Sequence, residues 1–197
     1  MKREEALKLV REHTKNKNLV RHMLATEACM RALYDRIVGK GDDNVLSSKN
    51  EWGMAGLLHD ADYEELKDSP QVRTLHTKRT LEWLDGKGLE KKVLDAIKAH
   101  AWGYVDGMPE PKTPMEWALY TCDELTGLIV AVALVKGGRL SEVTVDSVMK
   151  KWNESSFAVG ANRDQIKMCE TRLGIPLREF IEICLKAMQE ISGDLGL

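Results

Sequence analysis

Four of the five histidines in this chain fall on apolar stripes at helical spacing. His22 shares a face with Leu19, Cys29, Leu33 and Ile37, and His59 follows Trp52, Ala55 and Gly56. His76 comes one turn after Val72, and His100 one turn after Ala96 and Ile97. Residues three or four apart are neighbours on a helix, so all four imidazoles point inward. His13, at the end of the first helix, lacks such a setting. Each buried ring carries two nitrogens that need partners. One inward histidine is satisfied by a backbone carbonyl, whereas four on separate helices can be satisfied together by a metal ion. Asp123 adds a carboxylate to MEWALYTCDELTGLIVAVALV, a helix apolar on nearly every side, with Leu119, Val130 and Leu134 on its own face. A buried carboxylate needs a cation, a proton or a path to solvent. Asp60 directly follows His59. Adjacent helical residues diverge by ~100°, yet near a helix end both can turn toward one ion. Such imidazole and carboxylate ligands suit Fe, Mn, Co, Ni or Zn, with Mg at a more oxygen-rich site, as one ion or two. The plainer alternative is core histidines bonded to carbonyls, with Asp123 facing a cleft or an arginine.

These side chains must be delivered by helices, because apolar residues recur at helical spacing through almost the whole chain and strand-like alternation is nearly absent. The pattern predicts an all-α bundle of about seven to nine helices, drawn from segments near 2–13, 17–39, 50–60, 70–85, 88–101, 114–136, 144–152, 162–173 and 176–192. Ser69-Pro70 and Thr113-Pro114 each read as a cap followed by proline in the first helical position. Asp85-Gly86, Lys87-Gly88 and Gly174-Ile175-Pro176 break the chain between helices. Segments 41–49 and 102–113 read as loops. The second, carrying Trp102 and Tyr104, is long enough to line or cover a site. Gly53, Ala55 and Gly56 keep the helix before His59 slim enough for close approach.

At 197 residues and 43% hydrophobic, the chain fits one domain over 1–197, with a core at 17–136 and a helical extension at 144–192. Its 29 basic residues against 31 acidic ones leave no excess for a sequence-independent grip on a nucleic acid polymer. Four scattered cysteines, Cys29, Cys122, Cys169 and Cys184, form no C-x-x-C pair and read as reduced packing residues. The N-terminus has no apolar signal core, and the apolar run Gly127–Val135 falls short of the ~20 residues that span a bilayer. A cytoplasmic protein without a membrane segment is expected, with a homodimer open to it through exposed Trp or Met.

At His22 (NLVRHMLATEACM), His59-Asp60 (AGLLHDADYE) and Asp123 (TCDELTGLI), the chain resembles the HD-domain metal-dependent phosphohydrolases, in particular the small stand-alone bacterial ones. The resemblance spans residues 18–130. It implies the HD helical architecture and a metal held by His22, His59, Asp60 and Asp123. It also implies a second metal on His76 (TLHTKRT) and His100 (IKAHAWGY), with Asp60 bridging the two, or else a single metal with both histidines orienting water or substrate. The expected activity is hydrolysis of a phosphate ester or anhydride of a nucleotide or other small phosphorylated molecule by a metal-activated water. Asp60 and Asp62 are then the catalytic candidates. Asp62 and Glu124 could move a proton or orient a ligand, and Lys78 and Arg79 could meet the phosphate, with Arg21 and Arg163 as further cations. The chain departs from the cyclic-dinucleotide and alarmone hydrolases, lacking the paired histidines and Gly-Tyr-Pro of the first and the acidic pair of the second. A di-iron oxygenase on the same scaffold and a non-catalytic nucleotide-sensing or interaction module are the rival readings.

Overall fold

A computed structural model describes residues 1–39 and 47–197, so the expected loop at 41–49 lies mostly outside the described residues. Among those residues the fold is all-helical, with no strand. The elements run α1 (Arg3–His13), α2 (Lys17–Ile37), α3 (Lys49–Leu58), α4 (Tyr63–Leu66), α5 (Val72–Leu75), α6 (Lys78–Leu84), α7 (Lys91–Ala99), α8 (Pro114–Val135), a 3-10 turn (Leu140–Glu142), α9 (Val145–Trp152), α10 (Arg163–Arg172), α11 (Leu177–Glu190) and α12 (Ser192–Leu195).

The punctuation holds at Thr113-Pro114 but not at Ser69-Pro70, where the chain turns and α5 begins only at Val72, after an N-cap at Gln71 that makes no side-chain bond. Thr113 caps α8 by accepting from Glu116 N, with Pro114 in the first turn, and Thr144 and Asn162 cap α9 and α10 in the same way. Helices α2 and α8 form the centre. Helix α2 packs on α3, α8 and α11, while α8 also packs on α7, α9 and α10. One apolar core runs from Ala6 in α1 to Leu195 in α12, and the four cysteines are free and buried.

Helix α8 is longer and more apolar than the run Gly127–Val135 suggested, and by length and composition alone it could cross a membrane. Its most apolar stretch is 61% buried inside the protein, so the bundle covers it. A helix apolar on most sides is what a central position requires.

Glycine 56 sets the closest helix approach. A Cβ there would stand 2.8 Å from Thr26 O and from Glu27 N, both backbone atoms of α2. The pairs 26–56 and 22–59 run in opposite directions along the two helices, so α2 and α3 are antiparallel, with His22 and His59 one turn beyond the crossing. Gly56→Ala is therefore expected to force the helices apart, destabilising the fold by about 1–3 kcal/mol and weakening metal binding. Urea unfolding and metal titration of the same variant measure both effects.

The segment 70–85, expected as one helix, is broken. Helix α5 ends at Leu75, His76 is extended (ψ 141), and Thr77 takes a positive φ of 68° before α6 begins. That conformation is unfavourable for a β-branched residue. It is held because buried Asp62 accepts both His76 Nδ1–H at 2.7 Å and Thr80 N–H at 3.0 Å. The second bond satisfies an orphan amide in the first turn of α6, which has no local side-chain cap.

Candidate metal centre

Three of the four inward histidines stand where helices end, since His59, His76 and His100 are the C-caps of α3, α5 and α7. The last carbonyls of a helix lack intrahelical donors, and two of the rings use that. His59 Nδ1 bonds Gly56 O at 2.8 Å, and His100 Nδ1 bonds Ile97 O at 2.5 Å. A carbonyl only accepts, so each Nδ1 carries the hydrogen and each Nε2 is left for the interior. His76 reaches the same tautomer through the Asp62 carboxylate. His22 does so through Thr126 Oγ1, 3.0 Å from its Nδ1, because that hydroxyl donates its own hydrogen to Asp123 O at 2.8 Å.

The four Nε2 atoms converge on two carboxylates. His22 Nε2 lies 2.9 Å from Asp123 Oδ1 and 3.2 Å from His59 Nε2, and His59 Nε2 lies 3.3 Å from Asp123 Oδ1. Asp60 stands between two groups: its Oδ2 is 3.7 Å from both His22 and His59, and its Oδ1 is 3.4 Å from both His76 and His100. Among the described residues, three sets of ligand atoms lie within 4.8 Å of one another and could hold a metal ion: His22, His59 and Asp60; His59, His100 and Asp123; and Asp60, His76 and His100. The donor set fits a divalent cation on a further count. His100 Nε2 is buried with no hydrogen-bond partner, as a nitrogen lone pair reserved for a cation would be.

Protonation shows the same tension. Burial opposes charge on His59, but Asp60 and Asp123 outweigh it and push the ring up to about 9. Burial prevails at His100, which is held below its usual range. A metal would replace the proton that the carboxylates draw onto His59. Below about pH 9 the metal-free protein holds a proton on His59, so metal uptake should release protons and affinity should rise as pH rises toward that value. Titration calorimetry near neutrality, in buffers of different ionisation enthalpy, should show release of about one proton or more.

The cluster opens into a cleft of about 1000 Å³. Asp123 therefore faces this opening rather than a purely apolar face: the cleft side of α8 carries Tyr120, Glu124 and Gly127, whereas Leu134 is exposed. Trp102, Gly103 and Tyr104 line the cleft as well, the role open to the 102–113 segment. Glu124 accepts from Asn162 N at 2.9 Å, and burial together with the Asp123 charge raises its carboxyl to about 7.

The structure thus brings together His22, His59, Asp60, His76, His100 and Asp123. Asp62 is near them but fully buried, with both oxygens bonded, and it positions His76 rather than facing the cleft. Lys78 and Arg79 are elsewhere. Lys78 lines a separate shallow depression, and Arg79 pairs with Glu65 at 3.7 Å, because the turn at Thr77 swings α6 away from the cleft. Arg21 lies near Asn18 and Gly196, outside the cleft. Arg163 does line it, with its guanidinium donating to the carbonyls of Phe157, Ala158 and Ala161 at 2.6 Å each.

Sequence reasoning missed Thr126 and Thr80. The available signal for Thr126 was a hydroxyl three residues after Asp123 inside an apolar helix. Thr126→Val should preserve the fold while weakening metal binding about 10–100-fold, because His22 loses the partner that fixes its ring. Competition with a fluorescent chelator measures that affinity. Compared with protein-family models, curated proteins and solved structures, the chain matches none of them.

Proposed function

We propose that this chain is a metal-dependent phosphohydrolase of the HD superfamily, working in the cytoplasm on a phosphate ester or anhydride of a small molecule. The observation that carries this reading is Asp60, whose two oxygens face two separate pairs of histidine nitrogens. A carboxylate so placed suits two divalent ions, drawn from Fe, Mn, Co, Ni, Zn or Mg. His22, His59, Asp60 and Asp123 would hold one, and Asp60, His76 and His100 the other. Ions held there would supply a water made nucleophilic near neutral pH and neutralisation of phosphoryl oxygens.

The chain's own groups do the rest. Gly56 O, Ile97 O, Asp62 and Thr126 hold the four rings by Nδ1, so an ion would need a proton removed from His59 but no ring to turn. Asp60 and Asp123 set the charge of the centre. Glu124 stands at the cleft beside Asp123 with one oxygen bonded to Asn162 N, leaving the other to exchange a proton with a ligand. The open cleft on one side of the cluster supports a catalytic rather than a structural centre, because catalytic metals keep an open position.

The test is metal analysis of the purified chain, followed by phosphate release from a panel of phosphorylated compounds with Mn, Co, Ni, Zn, Fe or Mg added. Metal-dependent release abolished by chelation is expected. A chain that takes up no divalent ion, or takes it up and releases phosphate from nothing, would defeat the proposal. Turnover requiring iron and dioxygen would replace it with an oxygenase.

A further inference from the structure

Resting on the phosphohydrolase reading, the cleft walls bear on which phosphorylated molecule enters. The first feature is charge. Histidines of the cluster aside, Arg163 is the cation among the described residues lining the cleft. Its guanidinium is engaged with three carbonyls of the 157–161 segment, tying that wall down. Glu124 places an acidic group in the same space. Polyphosphate sites neutralise each further phosphoryl group with Arg, Lys or cation clamps. Away from the Asp60 cluster this cleft offers no unengaged cation among the described residues.

The second feature is an aromatic wall. Trp102 and Tyr120 both line the cleft, with ring centroids 5.5 Å apart. Trp117 stands behind them, edge-on to Trp102 at 6.0 Å and to Tyr120 at 5.8 Å, and Arg172 covers Trp117 with its guanidinium carbon 4.5 Å from the ring centroid. Trp102 is thereby braced, although it sits on a turn. Tyr120 lies three residues before Asp123 on α8, so the wall begins about one helical turn, ~5 Å, from the cluster. That is the reach between a phosphate and a ring carried on a short linker.

The third feature is Gly127, one turn beyond Asp123 on the same cleft. It interrupts a long helix, where glycine is less favourable than alanine by roughly 0.5–1 kcal/mol. No packing contact requires it, because a Cβ there would meet nothing within 4 Å. Its absent side chain leaves room on the cleft side.

We propose that the cleft takes a phosphomonoester whose organic group carries a flat aromatic ring, with the single phosphate at the Asp60 cluster and the ring against Trp102 and Tyr120, and that it discriminates against polyphosphates. In the reaction a water oxygen bonds to phosphorus as the ester P–O bond breaks. The departing oxygen takes up the proton that water gives up, leaving an alcohol and inorganic phosphate.

The experiment compares adenosine monophosphate, phenyl phosphate, glycerol phosphate and adenosine triphosphate as substrates of the Mn-loaded full chain. Binding of adenosine monophosphate is followed in parallel by quenching of tryptophan fluorescence. Expected is a kcat/KM at least about tenfold higher for one or both aromatic monoesters than for glycerol phosphate or the triphosphate, a range that base–aromatic stacking covers. The two aromatic arms separate a nucleobase from a simple aryl group. Trp102→Ala should cost the aromatic substrates about tenfold or more relative to glycerol phosphate, narrowing the gap between them, while Trp102→Phe restores most of it. Gly127→Leu should abolish binding with metal content intact.

Equal turnover of glycerol phosphate, or preference for the triphosphate, overturns the proposal and leaves the hydrolase reading standing. Hydrolysis of none, with quenching by adenosine monophosphate that Trp102→Ala removes, overturns the hydrolase reading and keeps the ligand assignment. Neither hydrolysis nor quenching sinks both.

Discussion

Replacing Asp60 with alanine should strip the chain of bound divalent metal and lower phosphate release by at least about 10³-fold, since metal catalysis supplies several kcal/mol and each ~1.4 kcal/mol is tenfold. The size of the effect follows from position. Asp60 contributes one oxygen to each of two groups of histidines, so one substitution opens both. His22 and His59 keep Asp123, whereas His76 and His100 lose the carboxylate oxygen they share. Thermal unfolding tells this apart from general damage. A metal at 100 times its Kd stabilises the native state by ~2.7 kcal/mol, which for a chain of this size raises the melting temperature by about 5–10 °C. The wild-type chain should show that rise when Mn or Zn is added, and Asp60→Ala should not. A variant that still gains the full rise would show that the metal is held elsewhere.

Asp62→Ala should be the more damaging substitution to the fold. The Asp62 side chain is fully buried, with one oxygen bonded to His76 Nδ1 and the other to Thr80 N. Alanine leaves two buried donors without an acceptor, an expected loss of about 2–5 kcal/mol. The Thr77 turn loses the tie that holds it at positive φ, and His76 is free to rotate. With two ions held as proposed, metal stoichiometry should therefore fall from two to one, with affinity at the His76 and His100 group reduced about 10–100-fold. The ion that His22, His59, Asp60 and Asp123 would hold should remain. Equilibrium denaturation and metal analysis after dialysis measure the two consequences separately. Unchanged stability together with unchanged stoichiometry would mean that Asp62 positions nothing.

The contrast between these aspartates marks how far a one-dimensional reading reached. Both follow His59 within three residues, and both read as catalytic candidates. Asp60 falls in the turn just beyond α3 and faces the cleft, whereas Asp62, two residues later, points into protein and bonds to the start of α6. No periodicity distinguishes them, because the chain has left the helix there and the 3.6-residue rule no longer says which way a side chain points. Lys78 and Arg79 went astray for the same reason: their direction depends on the break at His76 and Thr77, which a buried carboxylate fourteen residues upstream imposes.

What the sequence determined by itself is the helical class, the main helices with the Thr113-Pro114 start of α8, and the inward direction of His22, His59 and His100. Those are local matters, governed by spacing along one helix and by the first and last turns. The tertiary structure alone decided which imidazoles share a carboxylate, which nitrogen of each ring is left for an ion, and which cations stay out of the cleft. His22 finds its orienting hydroxyl 104 residues away in α8 and meets His59 across 37 residues at a contact only Gly56 permits. Through-space pairings of that kind depend on how whole helices pack, and packing is a property of the assembled core rather than of any window of residues.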